Sequence, residues 1–280
     1  MTSYNYKSAI NHGWLPSWFG ASKFGSQLLE KISEFQSENN LVADGFCGPK
    51  TFEVLKGQRK DSNYIVCGLN HVEIDHKIVL WNDKKGLAAQ SGCYRSSYKK
   101  REVKLFVNHW DVARSSKDTI SILNRKRISC QFLIDANPQA TIYQTMNSDH
   151  IAYHAGGRLW NNKSIGVEIC NPFYLKYQDK KRPRPIIKGA KVHGGVLEDH
   201  LGFYPQQIVA LKKLWIAINK AYQIPFQTPT KKDGSELGGV HRLSVKGEYT
   251  GYIHHYNLLR GKIDIGSLDL TELISEMKRL

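Results

Sequence analysis

Val103-Lys104-Leu105-Phe106-Val107-Asn108-His109-Trp110 is the stretch from which the rest of the chain is read. Its centre, Leu105-Phe106-Val107, is an unbroken apolar run of the kind found in strands buried on both faces. His109 lies just past it, where side chains leave a sheet and enter a cleft. Cys130 to Ile134, Thr141 to Tyr143 and Ile165 to Ile169 read as further strands, and Thr119 to Asn124 as a helix crossing between them. Pro205 then opens a longer helix. Ile208, Leu211, Leu214, Trp215 and Ile218 fall on one of its faces, proline suits the first helical turn, and the pattern ends near Tyr222. Strands mixed with helices of this length imply an α/β fold, a layered mixed β-sheet flanked by helices, over residues 103–280.

Upstream, Leu28, Leu29, Ile32 and Phe35 recur at helical spacing. The turn-rich Asp44-Gly45-Phe46-Cys47-Gly48-Pro49 follows, and then a second helical stretch through Phe52, Val54 and Leu55. Residues 1–60 therefore read as a small N-terminal helical bundle. Residues 61–102 read as a linking segment with strands between Asn63 and Trp81, a turn over Asn82 to Gly86 and a polar loop from Ser91 to Arg101.

With 280 residues, 41% of them hydrophobic, the chain can bury a sizeable core. Its formal net charge of +15 points to an anionic partner without saying which. Nucleic acid is disfavoured, because the sequence has no zinc finger, no regularly spaced basic helix and no aromatic RNA-binding signature. Lys180-Lys181-Arg182-Pro183-Arg184-Pro185, the most charged short run, reads as a solvated loop, with contact to an anionic polymer as the sharper alternative. Five cysteines lie far apart, and an odd number cannot all pair, so they are expected as buried thiols formed under reducing conditions. Met1 to Lys7 lacks the basic-then-apolar pattern of a secretory signal, and no apolar run reaches membrane-spanning length.

Four segments carry the chemistry: Asn108-His109-Trp110; Ile151-Ala152-Tyr153-His154-Ala155-Gly156; Asn161-Asn162-Lys163-Ser164-Ile165-Gly166-Val167-Glu168-Ile169; and Ile253-His254-His255-Tyr256 through Lys262-Ile263-Asp264-Ile265-Gly266. Their order resembles that of zinc-dependent N-acetylmuramoyl-L-alanine amidases, a family that includes phage endolysins and is similar to the peptidoglycan recognition proteins. The resemblance implies an amidase/peptidoglycan recognition protein-like fold and a Zn2+ cofactor, with His109, His254 and Asp264 as its ligands. It implies Glu168 and Lys262 as catalytic residues and His154 as a substrate-lining one. Tyr153, Trp160 and Asn161 are placed with His154 on the substrate side, the two aromatic rings as stacking surfaces.

His255 is the rival to His254, because adjacent residues of an extended segment point to opposite faces and only one can reach the metal. The family spacing, ten residues to the carboxylate, favours His254. Cys130, Gln131 and Ile265 depart from the family pattern. Cys67, His71 and His76 are metal-like in type but lack a fourth partner and read as ordinary residues.

Phe35 to Phe52 resembles the second half of the helical peptidoglycan-binding module of wall hydrolases. Asp44-Gly45 allows its tight turn, and Pro49 starts its last helix. The implied function is peptidoglycan hydrolysis between N-acetylmuramic acid and L-alanine by an endolysin-like enzyme. The alternative is a recognition protein that binds peptidoglycan without cutting it. The expected partner is bacterial peptidoglycan, with no nucleic acid and no membrane insertion, and the expected state is a monomer. Such an enzyme would be held in a host cytoplasm and act on the wall after release.

Overall fold

A computed structural model of the chain describes residues 2–59 and 63–279. A six-stranded mixed sheet is built from β1 (Ile78–Leu80), β2 (Leu105–Trp110), β3 (Phe132–Ile134), β4 (Ile142–Gln144), β5 (Ser164–Ile169) and β6 (Gly251–His254). Its order is β6-β2-β5-β3-β4-β1, so the expected α/β class with a layered mixed sheet is what the chain adopts. β6, β2, β5 and β3 run parallel, β4 runs antiparallel to β3, and β1 pairs parallel to β4. The 61–102 stretch, expected as a linking segment, thus supplies an edge strand. The boundary drawn at residues 60 and 61 lies outside the described residues.

Alternation along the strands sorts their side chains into two layers. Phe106 and Trp110 of β2, Ile165, Val167 and Ile169 of β5, and Tyr252 of β6 pack on one face. That face is covered by the helix Pro205–Tyr222 through Leu211, Leu214, Trp215 and Ile218. Leu105, Val107 and Ile253 point the other way and join Ala155 and Leu258 in a separate cluster. This second face carries the site, because His109 is in phase with Leu105 and Val107.

The N-terminal bundle consists of the helices Thr2–His12, Ser26–Glu38 and Pro49–Gly57 around Trp14, Leu28, Ile32, Phe52 and Leu55. Its central turn is stapled by Gln36, whose side chain accepts from the Gly45 N–H and donates to Asp44 and to the Phe46 carbonyl. Gly45 has φ 72°, and a Cβ there would lie 3.2 Å from the Leu29 carbonyl, so this turn requires glycine. The first helix ends against the sheet domain. Its last carbonyls, on Ile10, Asn11 and His12, accept from Asn147, Trp81 and Asn82, and the Gly13 carbonyl from His71. Helix C-terminal carbonyls have no partner within the helix. Here the neighbouring domain supplies them.

His71 is occupied with that cap and His76 bonds the Ala140 carbonyl, so both act as structural residues. All five cysteines are free and buried. No helix among the described residues is long and apolar enough to cross a membrane. The basic run 180–185 is only partly a solvated loop. Arg184 is 6% exposed, and its guanidinium donates to the carbonyls of Cys170 and Gly202 and to Gln207, while Arg182 reaches the Ala136 carbonyl. These two arginines also flank the ring of Tyr204 at 3.7 and 4.1 Å. A planar guanidinium has enough donors to satisfy several buried carbonyls at once, which makes Arg184 a brace for the 170–207 segment.

Candidate metal centre and active site

Three adjacent parallel strands deliver the central residues. His109 lies near the end of β2 and Glu168 near the end of β5, and the two face each other in register. In β6, Ile253 pairs with Val107 and His254 with Asn108, so the residue level with His109 is His255, which opens a short 3-10 turn. Ligand sites at the carboxyl ends of parallel strands are a general property of open α/β sheets.

This phase corrects the ligand expected at His254. His254 follows Tyr252 to the opposite face of the strand, where its Nε2 lies 3.0 Å from Glu236. His255 follows Ile253 to the cleft face, and its Nδ1 lies 3.0 Å from Asp264 Oδ2 and 3.0 Å from His109 Nδ1. His109 Nδ1 is in turn 3.1 Å from the same carboxylate oxygen. Among the described residues these three form a group whose potential ligand atoms all lie within 4.8 Å of one another.

The donor set fits a cation. A neutral imidazole has one proton for two nitrogens and a carboxylate has none, so three mutual contacts among two imidazole nitrogens and one carboxylate oxygen cannot all be good hydrogen bonds. Two nitrogens and one oxygen in a buried pocket are also a common protein ligand set for catalytic zinc. Burial drives the His109 imidazole down to about 4, aided by its neighbour His255, and so keeps it neutral and able to ligate. Burial alone would raise the Asp264 carboxyl, yet the imidazoles of His109 and His255 beside it outweigh burial and hold the group well below its ordinary range.

A cleft of about 360 Å³ opens over this group, lined by His109, His255, Asp264, Glu168, Lys262, His154 and Tyr153. Glu168 Oε2 is buried without a hydrogen-bond partner among the described residues. Burial, followed by the nearby carboxylates of Asp111 and Asp264, pushes the Glu168 carboxyl well above its ordinary range. A carboxylate kept basic and unpaired at the wall of a cleft suits proton transfer. Lys262 stands exposed at the same cleft, and its backbone carbonyl is bonded by His193 at 3.0 Å.

The residues expected on the substrate side divide. Tyr153 lines the cleft. His154 does too, but its Nδ1 is 3.0 Å from His109 Nε2, so it touches the candidate ligand group itself. Burial, with His109, His255 and Arg101 nearby, holds its imidazole well below the usual value and therefore neutral. Trp160 and Asn161 do not line the cleft, which corrects their placement. The Trp160 indole packs with Tyr249 and Leu259 against the Leu105 cluster and donates to the Val245 carbonyl. The Asn161 side chain accepts the N–H groups of His154 and Ala155. Both follow from the short helix Arg158–Lys163, which turns them away from the opening.

Sequence reasoning named His255 only as the rival ligand, and it missed one wall of the cleft, formed by Asp111, Val112, Ile122 and Lys126. Asp111 accepts the N–H groups of Ala113 and Asn171 and the Thr119 hydroxyl, and so shapes the loop after β2. Its position two residues after His109 was the one signal available.

A family model for N-acetylmuramoyl-L-alanine amidase matches residues 99–256, and one for a peptidoglycan binding domain matches residues 16–55. No curated protein matches the chain in sequence. Among solved structures, the endolysin N-acetylmuramoyl-L-alanine amidase LysCS from Clostridium intestinale URNW is 16% identical, with a TM-score of 0.42 over 73% of this chain and 96% of that one. AMPDH3 from Pseudomonas aeruginosa, in complex with anhydromuramic pentapeptide, is 19% identical, with a TM-score of 0.41 over 69% of this chain and 66% of that one. The amidase AmiD from E. coli, in complex with anhydro-N-acetylmuramic acid-L-Ala-D-gamma-Glu-L-Lys, is 25% identical, with a TM-score of 0.33 over 51% and 55% respectively.

Proposed function

Because this chain belongs to the N-acetylmuramoyl-L-alanine amidase family, whose model covers more than half of it, we propose that its cleft hydrolyses the amide between N-acetylmuramic acid and L-alanine of peptidoglycan as a zinc enzyme. The observation that carries the reading is the convergence of His109, His255 and Asp264 beside an unpaired Glu168 in one cleft.

His109 Nδ1, His255 Nδ1 and Asp264 Oδ2 would hold the zinc. Once bound, zinc supplies Lewis acidity for the scissile carbonyl and lowers the pKa of water at its open position. Glu168 accepts a proton from the attacking water as the new C–O bond forms. It returns that proton to the alanine nitrogen as the C–N bond breaks, so the products are a lactyl carboxylate and a free amine. Lys262 faces the carbonyl oxygen as negative charge builds on it. The N-terminal module would hold the enzyme on its insoluble polymer and raise its effective concentration there. A wall-binding module joined to an amidase supports an endolysin-type role in lysis, with a first unit ending near residue 60, a catalytic unit from about 103 and, between them, a segment that lends the sheet its edge strand Ile78–Leu80.

Incubating the full chain with purified cell wall is expected to release free alanine amino termini, to stop doing so after chelation, and to recover on adding zinc. Binding to wall without such release would favour a recognition protein and sink the hydrolase reading. Lys262→Ala is expected to keep its zinc while losing on the order of 3–4 kcal/mol of transition-state stabilisation, a drop of about two to three orders of magnitude in kcat. Near-normal turnover in that variant would remove Lys262 from the mechanism.

A further inference from the structure

His154 occupies a position that substrate contact does not explain. Its ring bridges two groups: Nδ1 is 3.0 Å from His109 Nε2, and Nε2 is 3.1 Å from the Ser164 hydroxyl. The same hydroxyl lies 2.6 Å from the Trp160 carbonyl. Chemistry sets the direction of every bond in this row, starting from its far end. A carbonyl can only accept, so the single Ser164 proton goes to Trp160. The Ser164 oxygen then has only lone pairs left for His154, so His154 Nε2 carries the proton. A His109 that ligates through Nδ1 carries its proton on Nε2, and the atom facing that proton is His154 Nδ1, which accepts it when His154 holds its own proton on Nε2. His109, neutral in turn, is left with a bare lone pair on Nδ1, the atom facing His255 and Asp264.

The surrounding sequence is arranged to hold this row in place. Asn161 fixes the His154 backbone by accepting its N–H and that of Ala155. Gly166 leaves room for the ring: a Cβ at that position would lie 2.6 Å from His154 Nδ1 and 2.8 Å from Cys130 Sγ. Thus the Tyr-His-Ala-Gly segment and the Ser-Ile-Gly-Val-Glu segment meet at one imidazole.

We propose that His154, backed by Ser164 and the Trp160 carbonyl, is a positioning residue that locks His109 in the Nε2–H tautomer and so presents Nδ1 as a metal ligand. This inference rests on the zinc amidase reading. Outer partners of metal-bound histidines fix ring orientation and tautomer, and their loss typically costs 10- to 100-fold in metal affinity or activity. The other ligand imidazole has no such support: His255 Nε2 has no partner among the described residues. The lock acts on one ligand of the three.

Zinc dissociation constants of the full chain, measured by competition with a chromogenic chelator at fixed pH, test the proposal. His154→Ala is expected to bind zinc about 10- to 100-fold more weakly than wild type, with KM for peptidoglycan fragments unchanged. His154→Gln, whose amide oxygen can accept from His109 Nε2, is expected to recover part of the loss. Gly166→Ala, which pushes the ring out of line, is expected to weaken zinc binding in the same direction. Nitrogen-15 shifts of the metal-free protein should show His109 as a single Nε2–H tautomer in wild type and as a mixture in His154→Ala. Zinc affinity within about threefold of wild type in His154→Ala, with KM raised, would overturn the lock and return His154 to substrate contact. If folding of His154→Ala fails, the same reading is taken from His154→Gln and Gly166→Ala. Wild type that binds no zinc at all would instead strike the hydrolase reading itself.

Discussion

His255→Ala is expected to abolish zinc retention and to cut amidase turnover by on the order of a thousandfold or more, since several kcal/mol of charge stabilisation depend on the metal. His254→Ala is expected to leave zinc content and turnover near wild type. The contrast follows from one strand's phase. His255 shares the cleft face with Ile253 and reaches Asp264, whereas His254 shares the buried face with Tyr252 and bonds Glu236. The cost of losing His254 falls on folding. Glu236 keeps its bond from the Leu270 N–H, so the loss should be about 1–3 kcal/mol. Metal analysis of the two purified variants, together with the alanine-release assay and urea unfolding, decides the matter. A zinc-free His254→Ala beside a zinc-loaded His255→Ala would reverse the assignment.

Glu168→Gln should lower kcat by about 10²- to 10⁴-fold while zinc stays bound, the range for loss of a positioned acid or base. The pH profile gives a sharper reading. Glu168 works as a base only when ionised, and burial, with Asp111 and Asp264 behind it, raises its affinity for a proton. Activity is therefore present above the Glu168 titration point and lost as pH falls through it. The acid limb of kcat/KM should lie above the ordinary carboxylate value of about 4.3. A bound cation opposes this shift by favouring the ionised carboxylate, while burial, the largest cause, remains. The residual activity of Glu168→Gln should lack this limb. An acid limb unchanged in that variant would assign the proton transfer to another group.

Much of the frame was legible in the chain. The apolar run Leu105-Phe106-Val107 and the helix opened by Pro205 required only local pattern, and both appear where the periodicity places them. His109 was recognisable because it stands at the end of such a run, and Glu168 because Ser164-Ile165-Gly166-Val167-Glu168 resembles the family's motif. Other features could not be read locally. Trp160 and Asn161 sit among cleft-forming residues in sequence, yet in a helix of 6 residues Trp160 bonds the Val245 carbonyl and Asn161 the backbone of His154 and Ala155. Arg184 belongs to a run that looks solvated, and only the carbonyls of Cys170 and Gly202, brought together from either side, make it a buried brace.

The primary structure determined, on its own, that this is a mixed α/β domain behind a small helical bundle, and which chemical types the cleft would contain. Hydrophobic period and turn chemistry act over a few residues, and a few residues suffice to read them. The placing of His255 rather than His254 beside Asp264, and of His154 against His109 at the cleft, was decided by tertiary packing. Both depend on how β6 and β5 register against β2, and that register is set by side chains more than fifty residues apart in the chain meeting across the sheet.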